Sequence, residues 1–158
     1  MQIHIPPGVD NGTKLKVAGE GEPGANGGAY GNLFVLIKIR PHDVFQREKS
    51  DIICELPIPL ELAVNGGIAE VPTISGKTRM KLASGTQNGT TLRIRGKGMP
   101  ALKGGARGDQ LVKIKVEIPQ KLSPEQKERL NQFLASLKPE NQPEVQQFQK
   151  KAERFMQS

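Results

Sequence analysis

Two stretches of this chain are written almost alike: GVDNGTKLKVAGEGEP at residues 8–23 and GTQNGTTLRIRGKGMP at residues 85–100. Extended without gaps from Gly8–Arg40 against Gly85–Glu117, an offset of 77, the comparison gives 15 identities in 33 positions. Seven are glycines, among them Gly12/Gly89, Gly19/Gly96, Gly21/Gly98 and Gly31/Gly108, and the rest include Asn11/Asn88 and Pro23/Pro100. Glycines recurring at fixed spacing mean that the same backbone turns are used twice. Between the turns, each copy carries a short strand (Lys14–Val17; Thr91–Arg95) and a longer one (Leu33–Arg40; Gln110–Ile118) of alternating apolar and polar residues. Such alternation is the period of a strand with one covered face.

The second copy has a forerunner that the first lacks. It is read as a strand at Asp51–Ile58, an apolar stretch at Leu60–Val64, a turn at Asn65-Gly66-Gly67, and strands at Ile68–Pro72 and Thr78–Leu82. Moved back by 77 positions, this section falls before Met1, so the chain is expected to be a fragment whose first module lacks about thirty residues. After Pro119 the pattern turns helical. Ser123 is placed to cap, Pro124 suits the first helical position and Gln126 completes a capping box. Leu130, Phe133, Leu134 and Leu137 then follow at helical spacing, and Val145, Phe148, Ala152, Phe155 and Met156 form a second apolar face beyond a break at Lys138–Pro143. The expected architecture is mainly β: two tandem β-sandwich-like modules, the first truncated (1–45) and the second at 46–120, followed by a helical tail at 121–158. The tail packs on its own chain or joins two chains.

Composition agrees with a turn-rich β chain. The 158 residues include 18 Gly and 12 Pro, five Phe, one Tyr and no Trp, which implies a small aliphatic core. No apolar run approaches the ~18 residues that span a bilayer, so no membrane association is expected. The single Cys54 fits a reducing, cytoplasmic setting. The net charge of +7 belongs to one region, Gly76–Ile118, which alone carries ten basic and two acidic residues. Arg79/Lys81, Arg93/Arg95 and Lys113/Lys115 each sit two apart, as a solvated sheet face requires, or a basic surface for phosphates, acidic peptides or another partner.

Several motifs fail on context. Gly19-Glu20-Gly21-Glu22-Pro23-Gly24 has dinucleotide-site spacing, but no helix follows, and the repeat reuses its glycines as a turn. Arg107-Gly108-Asp109 is matched by Tyr30-Gly31-Asn32 in the other copy, again a turn. One Cys and two distant histidines, His4 and His42, offer neither metal-ligand spacing nor a nucleophile with its base. No enzyme, metal or cofactor is expected.

The stretches IPPGVDNGTKLKVAGEGEPG, GNLFVLIKIRPHDVFQREKSDI, LPIPLELAVNGGIAEVPTISG, GTQNGTTLRIRGKGMP and GARGDQLVKIKVEIPQKLSPEQK, spanning Ile3 to about Leu134, resemble the C-terminal region of the DnaJ family of J-domain co-chaperones. The resemblance implies two β-sandwich modules that bind non-native polypeptide and a helical tail that joins two chains. It identifies Phe45, in RPHDVFQRE, as a client-binding residue. The repeat adds Leu122, the +77 counterpart of Phe45, as a second candidate. Leu130, Phe133, Leu134, Leu137, Phe148 and Phe155 are the expected dimerisation residues. The family's His-Pro-Asp tripeptide, which stimulates the partner heat-shock ATPase, is absent. The nearest string is Pro41-His42-Asp43 in an inter-module linker. The fragment is therefore expected to bind unfolded polypeptides as a homodimer without stimulating the ATPase, which would partner the full-length protein. Two alternatives are a dimerisation-only fragment and a basic nucleic-acid-binding module, the latter disfavoured by the scarcity of aromatics.

Overall fold

The structure, a computed structural model, describes residues 1–157. The chain divides into two compact units, Met1–Ile118 and the segment from Pro119 onward. The first is a β assembly. Strands β1 (Lys14–Val17) and β2 (Leu33–Leu36) form an antiparallel pair. Strands β3 (Phe45–Glu48), β4 (Asp51–Pro59), β8 (Gln110–Glu117) and β7 (Thr91–Ile94) form a four-stranded sheet in the order β3-β4-β8-β7. Strands β5 (Gly67–Thr73) and β6 (Gly76–Leu82) form a third sheet. A short helix, α1 (Leu60–Asn65), links β4 to β5. The fold is mainly β with a helical C-terminal tail, as the sequence implies.

The repeat recurs in the hydrogen bonds of its paired turns. Gly12 N–H donates to the Ile37 carbonyl and Gly89 N–H to that of Ile114, both at 2.8 Å. The Asn11 side-chain oxygen accepts from Ile39 N–H at 3.0 Å, and that of Asn88 from Val116 N–H at 2.9 Å. Gly21 and Gly98 bond the carbonyls of Gly31 and Gly108 at 2.9 and 2.8 Å. Gly19 and Gly96 share a left-handed backbone, φ 76° and 71°, which explains why glycine recurs there.

The core lies in the second module, shared between the section that precedes the second copy and strand β8. Ile58, Ala63, Val71, Leu82, Val112 and Ile114 are buried together, so the four-stranded sheet and the β5–β6 hairpin close on one another with α1 at the end. In β8 the alternation is complete: Gln110, Val112 and Ile114 are buried while Lys113 and Lys115 are exposed. Pro57 and Pro59 fall in β4 beyond the last pair with β3, on the side away from β8, so their missing N–H groups break no ladder bond. The first copy has the same turns but no buried residue, and Phe34 and Leu36 of β2 are exposed.

One strand was missed and one strand bound is corrected. The linker read around Pro41-His42-Asp43 runs directly into strand β3, which pairs Phe45 with Cys54 and Arg47 with Ile52. The longer strand of the first copy stops at Leu36 rather than Arg40. Its counterpart β8 runs on to Glu117 because β4 pairs alongside it in parallel, whereas β2 has only β1.

The second unit holds α2 (Pro124–Ala135) and α3 (Pro143–Gln157), separated by a 3-10 turn at Pro139–Asn141. Ser123 caps α2 with the expected reciprocal capping box: its Oγ accepts from Gln126 N–H, and Ser123 N–H donates to Gln126 Oε1. Neither helix contains a buried residue.

Candidate functional site

A concavity of the first unit, about 800 Å³, opens where the leading loop of β1, the segment after β2 and strand β3 converge. Ile39, Phe45, Ile52, Ile74 and Met99 give it apolar surface, and Asp10, Asn11, Arg40, His42, Gln46 and Arg47 supply polar atoms. Phe45, expected to bind clients, is half-buried in its wall at the start of β3. The His42 ring lies beside it, with centroids 5.1 Å apart and planes inclined at 34°. His42 Nδ1 accepts from Val44 N–H at 3.0 Å and from Phe45 N–H at 3.2 Å, so this nitrogen carries no proton and the neutral ring is protonated on Nε2.

Arg47 fixes the walls. Its guanidinium donates to the carbonyls of Val9 and Gly8 (3.1 Å for Gly8) and, through Nε, to that of Lys49 at 2.6 Å. Asp10 Oδ1 stands 3.7 Å from the same Nε. These bonds tie the β1 leading loop to β3 across 38 and 39 residues of sequence. Gly8 also lies close against the backbone at Pro100. A side chain there would stand about 2.5 Å from the Pro100 carbonyl, and its φ of 89° also favours glycine. Sequence reasoning missed Arg47 and His42. Phe45-Gln46-Arg47-Glu48, with one apolar residue in four, carries no local signal of either role.

The other expected site residues lie elsewhere. Leu122 is half-buried at the start of the second unit and lines neither this concavity nor the smaller one at Ile68, Glu70 and Arg79. Leu130, Phe133, Leu134, Phe148 and Phe155 are exposed on α2 and α3, Phe148 by 72%, while Leu137, just past α2, is half-buried. The basic pairs do not form one patch. Arg79 and Lys81 occupy the outer face of β6, and Arg93, Lys113 and Lys115 that of the opposed sheet. Two of these cations are engaged, Arg93 by Asp109 at 2.6 Å and Lys115 by Glu55 at 3.7 Å. The Gly96 N–H, and then Arg93, hold the Asp109 carboxyl below the usual range. Burial pushes the Cys54 thiol up. Among the described residues, no three His, Cys, Asp or Glu side chains gather as metal ligands, and no helix is long and apolar enough to cross a membrane.

Comparison with known proteins matches residues 1–119 to the DnaJ C terminal domain. The chain is 46% identical over 155 residues to the Chaperone protein DnaJ of Opitutus terrae, covering 98% of this chain and 41% of that protein. It is 49% identical over 133 residues to that of Brevibacillus choshinensis (84% and 36% covered) and 43% over 154 residues to that of Fusobacterium nucleatum (98% and 39%). It thus spans about two fifths of the length of these curated relatives. With three quarters of its length matched, the chain belongs to the DnaJ C-terminal domain family.

Proposed function

We propose that this chain is the polypeptide-binding and self-associating part of a J-domain co-chaperone, and that the concavity at Phe45 receives apolar side chains of non-native polypeptides. The observation that carries this reading is a hollow of about 800 Å³ with Phe45 in its wall, beside the outer edge of β3, the end strand of its sheet. That volume lies within the ~300–1,000 Å³ typical of ligand sites. An extended segment can lie along such an edge and place one side chain in the hollow. One large apolar side chain contributes ~1.5–3 kcal/mol on burial, so each contact is weak and exchanges quickly.

Self-association would raise the effective concentration of a second contact. The exposed apolar faces of α2 and α3 support the tail as the joining element, with residues 1–45, 46–120 and 121–158 as truncated module, second module and tail. Leu122 is proposed as a second contact for clients. The chain binds rather than catalyses and, having no His-Pro-Asp tripeptide, leaves a heat-shock ATPase unstimulated; that partner belongs to the longer protein.

Phe45→Ser should weaken binding of a fluorescent apolar peptide at least tenfold with the circular dichroism spectrum retained; wild-type affinity in the variant refutes the site. Leu122→Ser tests the second contact in the same way. Removal of the residues after Leu122 should give a monomer in sedimentation, and a truncated dimer refutes the tail assignment.

A further inference from the structure

His42 sits between the concavity and the edge of β3, and the sheet geometry shows what its bonds do there. Ile52 N–H donates to the Asp109 carbonyl at 2.9 Å, toward β8. Ile52 is therefore not bonded to its opposite residue Arg47. By the alternation of an antiparallel pair, Cys54 and Phe45 are unbonded too. The main-chain groups of Phe45 and Arg47 thus face away from β4, along the outer edge of the sheet. One of those edge groups, Phe45 N–H, is taken by His42 Nδ1, which also takes Val44 N–H and lays the imidazole beside the Phe45 ring. One nitrogen therefore shapes the turn into β3, closes an edge donor and orients the aromatic wall.

We propose that His42 is the positioning residue of this groove, holding Phe45 in its receptive orientation only while its Nδ1 is unprotonated, so that apolar peptide is held at neutral pH and released as His42 gains a proton. A second proton on the ring can go only to Nδ1. That atom then becomes a donor facing two donors, and both bonds are lost. Histidine is the side chain whose ordinary titration falls between about pH 5 and 8. The other charged groups around it are Arg40 and Asp43 on its own segment, Arg47 on β3 and Asp10 on the β1 leading loop, already beside Arg47. The inference rests on the groove being the peptide site.

The test uses the full chain and a fluorescent, end-blocked peptide with a Phe-Leu-Leu centre in a Ser/Gly background, which has no titratable side chain. Anisotropy is read at about pH 7.5 and about pH 5.5. Wild type should bind about fivefold more weakly at the lower pH, the scale of one net hydrogen bond. An Asn side-chain oxygen accepts from N–H groups two residues on as an Asx turn. His42→Asn should therefore bind within about twofold of wild type at neutral pH and lose the pH dependence, which isolates the imidazole from Asp10 and Asp43. His42→Ala should be weak at both pH values, and His4→Gln should match wild type throughout. A pH-independent wild type, an unchanged profile in His42→Asn, or full affinity in His42→Ala overturns the proposal. Phe45→Ser separates the two readings. If it binds like wild type, the groove reading falls and this one with it; if it fails while the His42 variants behave as wild type, only the role of His42 falls.

Discussion

Gly31 and Gly108 occupy the same place in the two copies, 77 residues apart, and an added methyl group would meet very different surroundings. Both donate their N–H to an equivalent carbonyl, Glu22 at 2.8 Å and Met99 at 2.9 Å, and neither has a positive φ. Alanine is thus acceptable to the backbone at both positions. At Gly31 the new Cβ would find only the Glu22 carbonyl at 3.6 Å, an ordinary contact. At Gly108 it would overlap the Ser50 carbonyl group and come within about 2.9 Å of the Ser50 Cβ. Ser50 cannot yield freely, since its carbonyl accepts the Met99 N–H at 2.8 Å and it leads directly into β4. Overpacking costs ~1–3 kcal/mol and a disrupted backbone bond ~1 kcal/mol more. Gly108→Ala should therefore lose about 2–4 kcal/mol. For a unit of this size that is on the order of 10 °C in Tm. Gly31→Ala should stay within ~1 kcal/mol of wild type, with a slight gain from reduced freedom of the unfolded chain. Thermal unfolding of the full chain by circular dichroism reads both. Equal losses in the two variants, or a Gly108→Ala variant within about 2 °C of wild type, would refute the steric account.

Three further outcomes follow from the site and the core. The Asp109 carboxyl is held below its ordinary range, so its contribution to stability is present above the unfolded value near pH 4 and is lost as pH falls through the lower folded value. Asp109→Asn should accordingly flatten the acid limb of a stability-versus-pH curve below about pH 4, and an unchanged limb would contradict the bonds to Gly96 and Arg93. Cys54 is 1% exposed, and burial raises its thiol pKa. Alkylation by iodoacetamide at mildly alkaline pH should be negligible in the folded chain and fast in urea; rapid native labelling would show that β4 opens. Arg47→Met should cost about 2 kcal/mol through the carbonyls it deserts, and Arg47→Lys should restore less than half in urea titration, since a single ammonium cannot reproduce the planar fork.

What could be read from residues alone was whatever repeats locally. The offset of 77 located the paired turns because Gly12/Gly89 and Gly19/Gly96 answer a positive φ set within the turn itself. The Ser123 capping box was legible for the same reason. Strand β3 was not: Phe45-Gln46-Arg47-Glu48 carries one apolar residue in four, and the preceding Pro41 reads as a break. Its extended form comes from pairing with β4 and from the hold of Arg47 on Gly8 and Val9, nearly forty residues away in the chain. Phe45 was named by resemblance, but the turn through which His42 orients it depends on coordinates. The end of β2 at Leu36 was misjudged for a related reason, since strand length there is set by a neighbouring strand rather than by the residues themselves.

The parallel β4–β8 pairing has a kinetic side. Its partners stand 58 residues apart, Ile52 with Gln110, whereas the β3–β4 and β5–β6 hairpins close over a few residues. Distant pairings form late because a long loop must close before any bond forms. As the chain leaves the ribosome, β4 therefore waits with Ile52, Cys54 and Ile58 unsheltered until β8 has been made. A protein proposed to hold unfinished chains passes through an interval in which its own central strand is one of them.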